Sequence, residues 1–363
     1  MENFKLGTVE TILLILTVIV AHTILSLPKT IIDITGSSSL INIIYIGIIA
    51  IILVLIICKL FNKFSGSDII DISEYVGGKI FKQIIGLIFI IYFIVTASIL
   101  LRNFCEAIKI LYYPNTKVTF ILLFFIITSM IIGHLRFNSA LKVNTFIIPI
   151  VLISSIFLFI FNFENFTPQK IFPIMGNGVF ETFCTGISNL VAFSGIVYLY
   201  FLPPLLQNKD SFKKISIISV GIIIIYLLLS VSTLLFMFNF FIKADEVMPL
   251  YLAARYLHIG NFFQRLESIF LLAWIFAFAC YFCGVLAFAK YIFQKIYNIK
   301  EQKELTYPFA ILCLGISLIP KNYAISKFLE ISIFKYLFIG IGIFLAISIL
   351  IIANIKKKKK ISN

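Results

Sequence analysis

Residues 215–242 read ISIISVGIIIIYLLLSVSTLLFMFNFFI and contain no Asp, Glu, Lys or Arg. A helix needs about 20 apolar residues to cross a hydrocarbon core about 30 Å thick, and this run is long enough. A strand of an outer-membrane barrel would instead alternate apolar and polar residues over about ten positions. The run is apolar on every face, so it predicts a membrane-spanning helix.

Runs of this kind recur along the whole chain. Of its 363 residues, 61% are hydrophobic and only 13% are charged. Uncharged stretches of 16 or more residues lie at 11–28, 34–58, 83–101, 118–135, 143–163, 182–208, 215–242, 268–289, 305–320 and 336–355. We therefore predict an all-α membrane protein with ten transmembrane helices, forming a single integral membrane domain over residues 1–363. The connections are too short for an enzymatic domain, and we expect the chain not to be an enzyme.

The basic residues indicate the orientation in the membrane. The formal net charge is +14. With ten crossings, 19 of the 30 Lys and Arg residues fall on the side of the two termini, including the block Lys356–Lys360. Cytoplasmic loops carry such an excess, so both termini and the basic tail 356–363 are expected in the cytoplasm. Anionic lipid headgroups then account for the positive charge, and no nucleic-acid partner is predicted.

The cysteines do not indicate a metal site or a disulfide framework. Most of the six Cys residues fall inside apolar runs. Cys280 and Cys283 have CxxC spacing, but no His or acidic residue lies near them in sequence. Free Cys behaves as a small hydrophobic residue, so we interpret this pair as packing thiols and predict no metal and no cofactor.

Two of the predicted spans are interrupted. Polar and helix-breaking residues occur in the first span at Ala21-His22-Thr23 and Pro28, and in the sixth at Phe193-Ser194-Gly195. These spans open two halves of five helices, at about 8–163 and about 180–355. The candidate ligand-binding residues at the interruptions are Thr17, Ala21, His22, Thr23, Asn189, Phe193, Ser194, Gly195 and Tyr198.

Paired interruptions of this kind have two interpretations. Many transporters are five-plus-five inverted repeats with discontinuous helices 1 and 6, where a small solute binds near the midplane. Half-helix N-termini attract a carboxylate, which suits an amino acid. Alternatively, Pro28 and Gly195 merely kink packed helices, and His22 bonds to a neighbouring helix. The matching positions in the two halves favour the cavity.

Charged residues mark the ends of the third and eighth spans. Arg102 and Glu106 are four residues apart and can pair on one helical face. Arg265 and Glu267 precede the eighth span, with Trp274 two turns further on. These residues are either interfacial anchors or a structural and gating group at the outer mouth, with pairing between the two helices.

The eighth span also carries the motif Arg265-x-Glu267-Ser268-x-Phe270-x-x-x-Trp274. This motif resembles the signature of the B subunit of spore germinant receptors, the endospore germination permease family of the amino acid, polyamine and organocation transporter superfamily. Other stretches agree with it, namely Met248-Pro249-Leu250, Arg255, Asp71-Ile72-Ser73-Glu74-Tyr75-Val76-Gly77 and Gly176-Asn177-Gly178.

The resemblance implies a multi-pass subunit of the spore inner membrane that works with a larger A-type subunit and a lipoprotein C-type subunit. It implies that the chain binds a small nutrient, commonly an amino acid, and that occupancy triggers germination. The alternative function is an ion-coupled transporter of amino acids or organic cations. A third is a membrane anchor or ion-conducting partner for another subunit.

Overall fold

The computed structural model describes residues 5–134, 137–238, 247–257, 267–299 and 303–362. These residues form helices and no strand, and Leu6 pairs with Leu206 only through an isolated parallel bridge. The α-helices are α1 (Thr8–Ile24), α2 (Leu27–Thr35), α3 (Ser39–Phe61), α4 (Ile69–Tyr112), α5 (Val118–His134), α6 (Phe137–Phe161), α7 (Val179–Phe183), α8 (Phe212–Met237), α9 (Pro249–Arg255), α10 (Glu267–Tyr297), α11 (Thr306–Ser317), α12 (Tyr323–Leu337) and α13 (Ala346–Ser362). Thr185–Tyr200 is a long 3₁₀ helix, and Phe338–Leu345 is a π-helical segment that joins α12 to α13. Short 3₁₀ helices occupy Gly36–Ser38, Asn62–Phe64, Phe163–Asn165, Pro168–Ile171, Lys209–Ser211 and Lys303–Leu305.

Several of these helices are long and apolar enough to cross a membrane. Within the described residues, seven helical stretches meet that condition: Leu27–Phe64, Ile69–Tyr112, Val143–Phe161, Val179–Tyr200, Lys209–Met237, Glu267–Tyr297 and Tyr323–Lys358. Two shorter apolar helices are Thr8–Ile24 and Val118–Gly133. At about 1.5 Å per residue, α11 is only about 18 Å long. The all-helical membrane architecture is confirmed, whereas the ten crossings and the inverted repeat stay predictions.

Two helices extend well beyond the uncharged runs. α4 continues through Arg102 and Glu106 to Tyr112. The last stretch begins at Tyr323, before the run 336–355, and the added turns include the charged residue Glu330. These turns therefore bring charged side chains into the helical bundle.

The centre of the bundle is formed by α1 and the 3₁₀ helix Thr185–Tyr200. α1 is buried without interruption from Thr11 to Ile24, and it packs against α6, α8, α10 and the 3₁₀ helix. α10 in turn packs along α4 and α6. Polar residues on α1 thus face protein and not lipid.

A polar network anchors the start of α4 to the end of α10. The Asp68 carboxylate caps α4 by accepting the N–H groups of Ile70 and Asp71, both at 3.0 Å. It also accepts the Tyr291 hydroxyl at 2.7 Å and the Lys295 ammonium at 2.6 Å. Burial raises the pKa of the Asp68 carboxyl, and the Lys295 ammonium acts in the opposite direction. The network holds together two helices that both line the candidate site.

Tyr291→Phe is expected to lower the free energy of unfolding by about 1.5 to 3 kcal/mol, because it removes a hydrogen bond to a buried carboxylate. Thermal and denaturant unfolding of the solubilised protein would measure this change. Tyr297→Phe is the matched control, since Tyr297 is exposed at the end of the same helix. Equal stability of the two variants would contradict a stabilising role for the network.

Candidate ligand-binding site

The first helical break lies between α1 and α2. α1 ends at Ile24, Leu25 leaves the helical conformation at φ −78° and ψ −111°, and α2 begins with Pro28 in its first turn. Proline is tolerated there because the first-turn N–H groups have no intrahelical acceptor. The break is therefore at Leu25 and Ser26. The proposed interruption at Ala21-His22-Thr23 was wrong, since these residues complete α1.

The second break lies in the 3₁₀ helix, where Phe193 departs from helical geometry at φ −95° and ψ 19°. Two residues later, Gly195 packs directly on α1. A Cβ atom on Gly195 would lie only 2.8 Å from the carbonyl oxygen of Ile15. The absence of a side chain at Gly195 thus allows the two central helices to touch.

Two small cavities adjoin these breaks. The first, here called the aromatic chamber, has a volume of about 10 Å³. Its walls come from α1, α4, the 3₁₀ helix, α10 and α12, through Val18, Tyr92, Phe93, Thr96, Ser194, Tyr198, Tyr281, Val285 and Phe334. The second, here called the polar chamber, has a volume of about 50 Å³. It is lined by His22, Ser26, Leu27, Thr30, Ile34, Ser188, Asn189, Val191, Glu330, Ile331, Phe334 and Lys335.

Phe334 is the wall shared by the two chambers. The His22 ring meets it edge-on, with 4.4 Å between the ring centroids. On its other side His22 lies 6.4 Å from the ring of Tyr281, which lines the aromatic chamber. Three aromatic rings from α1, α10 and α12 therefore pack together where the two chambers adjoin.

Each chamber contains a buried polar atom with no partner among the described residues. These atoms are Nε2 of His22 in the polar chamber and Oγ of Ser194 in the aromatic chamber. Buried polar atoms are nearly always hydrogen-bonded, so each unsatisfied one calls for an explanation. A ligand that supplies the missing hydrogen bonds would be such an explanation.

Four of the nine predicted ligand-binding residues line a chamber, and the other five line neither. His22 and Asn189 line the polar chamber, and Ser194 and Tyr198 line the aromatic chamber. The others line neither, namely Thr17, Ala21, Thr23, Phe193 and Gly195.

Thr17, Thr23 and Ala21, which line neither chamber, have local roles within α1. The hydroxyls of Thr17 and Thr23 bond back to the carbonyls of Leu13 and Ile19 in their own helix. Ala21 is fully buried inside α1. Ligand binding by any of the predicted residues stays a prediction.

The charged residues of α4 form a buried pair. Arg102 Nη2 and Glu106 Oε1 are 2.7 Å apart, and both side chains are buried. Arg102 also donates to the carbonyl of Ser317 at the end of α11. These contacts place the pair inside the bundle, and its structural or gating role stays a prediction.

The corresponding residues of α10 are described only in part. Arg265 lies outside the described residues. Glu267 is buried at the start of α10, and Trp274 is fully buried beside Phe270. A gating role for this group stays a prediction.

Sequence reasoning missed Glu330 and Phe334. Both lie on α12, which has no long uncharged run because Lys327, Glu330 and Lys335 interrupt it. Residues spaced four positions apart along this helix were nevertheless a signal in the sequence. Ser326, Glu330, Phe334 and Phe338 are all buried and mark one helical face.

The long apolar helices define this chain as a multi-pass membrane protein. The matching protein family is described as spore germination protein, and its match covers residues 5–326. The chain belongs to this family of spore permeases, which is not a family of enzymes.

Two relatives from Bacillus subtilis (strain 168) are similar to it. Spore germination protein B2 is 25% identical over 279 residues, which cover 75% of this chain and 74% of the relative. Spore germination protein YndE is 21% identical over 277 residues, with 75% of each chain covered.

Proposed function

We propose that this chain is the nutrient-sensing membrane subunit of a spore germinant receptor. A small germinant, an amino acid by class, binds in the two chambers and triggers germination. The observation that carries this proposal is the pair of chambers at the breaks of α1 and the 3₁₀ helix, each with an unsatisfied polar atom, His22 Nε2 or Ser194 Oγ. Family membership supports the biological context.

The small volume of the aromatic chamber explains how binding becomes a signal. About 10 Å³ is near the minimum for one water molecule, so an amino acid enters only if the walls move apart. Phe334 and the helices around it must therefore shift when the site fills. A ligand that binds the opened state more tightly than the closed one moves the population toward it.

The subunit acts with an A-type subunit and a lipoprotein C-type subunit in the inner membrane of the spore. Both termini lie in the cytoplasm. The block Lys356–Lys360 then faces the anionic headgroups of the cytoplasmic leaflet. The predicted excess of Lys and Arg on the side of the termini supports this orientation.

Phe334→Leu is expected to raise the amino-acid concentration for half-maximal germination at least about tenfold, which corresponds to about 1.4 kcal/mol. The substitution removes the aromatic wall but keeps an apolar side chain that allows folding. The assay uses spores that carry this chain with its A-type and C-type subunits. Each of the twenty amino acids is tested, with germination followed as loss of refractility.

Phe328→Leu is the matched control, because Phe328 lies on the same helix and is 67% exposed. Its response should equal that of the unmodified chain, with equal amounts of both proteins in the spore membrane. An unchanged dose response for Phe334→Leu would contradict binding in these chambers. Uptake of labelled amino acid by liposomes that contain this chain alone would favour the transporter instead.

A further inference from the structure

Glu330 places a carboxylate in the wall of the polar chamber. The side chain is only 7% exposed. Its Oε2 atom accepts a hydrogen bond from Asn103 Nδ2 at 2.6 Å and one from Ser26 Oγ at 3.5 Å. Donors from α4 and from the break after α1 thus hold the carboxylate in place.

The negative charge of Glu330 has no ion-pair partner in the part of the chain that the structure describes. The Lys327 ammonium acts on the carboxylate electrostatically but forms no salt bridge with it, and Lys29 bonds instead to Asp33, with 2.9 Å between Nζ and Oδ2. No described residue donates to Oε1 of Glu330, while the side chain lines the chamber. A buried carboxylate that is not directly ion-paired is costly, so a cation bonded to Oε1 would stabilise it.

Phe334 and His22 in the walls of the polar chamber suit an organic cation, and Lys335 is the one lysine among its lining residues. Phe334 lies one helical turn after Glu330 on α12, and both residues line the chamber. The face of an aromatic ring attracts an ammonium group, as a carboxylate does. His22 Nε2 adds a polar atom without a partner among the described residues. A volume of about 50 Å³ holds a head group of a few atoms.

We propose, building on the function proposed above, that Glu330 binds the ammonium group of the germinant and makes an amine its required feature. Oε1 accepts the ammonium hydrogens while Asn103 and Ser26 hold Oε2. The rest of the ligand extends past Phe334 toward the aromatic chamber. Compounds with the same carbon skeleton but a hydroxyl in place of the amine should not bind.

The test uses the full chain in lipid nanodiscs and measures thermal shift, followed by titration calorimetry. The probes are alanine with lactate, valine with 2-hydroxyisovalerate and phenylalanine with phenyllactate, together with sodium chloride alone. An amino acid should stabilise the unmodified chain, and its hydroxy-acid counterpart should not. Glu330→Gln should weaken amino-acid binding by about tenfold to a hundredfold, as expected for the loss of a hydrogen bond to a charged group.

Glu164→Gln is the control, because Glu164 is exposed and lies outside both chambers. The proposal is overturned if Glu330→Gln binds the amino acid within about twofold of the unmodified chain, or if the hydroxy acid binds equally well. A stabilisation by sodium chloride alone that depends on Glu330 would also overturn it, in favour of an inorganic cation.

The outcomes separate this proposal from the one on which it rests. Amino-acid binding that is independent of Glu330 rejects only the ammonium site. If the three named amino acids give no thermal shift, the other seventeen are screened in the same assay, and no binding by any of the twenty rejects the proposed function and the ammonium site together. If Glu330→Gln does not fold, the test is the comparison of each amino acid with its hydroxy acid on the unmodified chain, and equal binding of the two overturns the proposal.

Discussion

Spores that carry Gly195→Val are expected to give no germination response at any amino-acid concentration. An added Cβ would lie 2.8 Å from the carbonyl oxygen of Ile15, which belongs to the backbone of buried α1. This oxygen can retreat only if α1 and the 3₁₀ helix separate. Overpacking of this kind costs about 1 to 3 kcal/mol. The separation would also displace the neighbouring Ser194 from the aromatic chamber.

The response to Gly195→Ala should be intermediate, since its single methyl group needs a smaller displacement. Gly221→Val is the matched control, because a Cβ on Gly221 in α8 meets no atom within 4 Å. Immunoblots of spore membranes should show similar amounts of all three variants. A normal dose response for Gly195→Val would mean that the contact between the two central helices has no part in sensing.

The break after α1 shows which residues of a span predict a helix boundary. Pro28 correctly indicated a helix boundary, because proline cannot donate to the preceding turn and is accepted at a helix start. Thr17 and Thr23 were misleading, because their hydroxyls bond to carbonyls of their own helix and leave it intact. Polar residues in a span therefore predict a cavity only when a true helix breaker accompanies them.

The helix α12 shows why part of the candidate site could not be predicted from the sequence. Long uncharged runs locate the lipid-facing helices well, because lipid tolerates few charges. A helix that is surrounded by protein follows a different rule, since Asn103 and Ser26 can hold the Glu330 carboxylate in place through hydrogen bonds to its Oε2. These partners come from α4 and from the break after α1, distant in sequence. Only the packed structure brings them together.

Phe334, which lines both chambers, is a second residue that the sequence alone did not predict. Phe residues are abundant throughout the sequence, with 40 in total, so no local pattern distinguishes Phe334 from the rest. Phe334 is distinguished by its contact with His22 and by its position in the walls of both chambers. The sequence predicts a cavity between the first and sixth spans, but it does not indicate that Phe334 lines both chambers.

Arg102→Met is expected to lower the free energy of unfolding by about 3 to 5 kcal/mol, because it leaves the buried carboxylate of Glu106 without its cation. It also removes the hydrogen bond from Arg102 to the carbonyl of Ser317, which joins α4 to α11. Glu106→Gln alone should be destabilising for the corresponding reason, since it leaves a buried guanidinium. Denaturant unfolding in detergent micelles, with protein yield as a second measure, would test both variants.

The double variant Arg102→Met with Glu106→Gln distinguishes a specific pair from general sensitivity of α4. It removes both charges, so it should recover most of the stability that either single variant loses. Lys79→Met is the control, since Lys79 is exposed on the same helix, and a change within about 0.5 kcal/mol is expected. If the double variant is as unstable as the sum of the single variants, the two charges contribute independently. In that case the 2.7 Å contact between Arg102 and Glu106 is not what stabilises this part of the bundle.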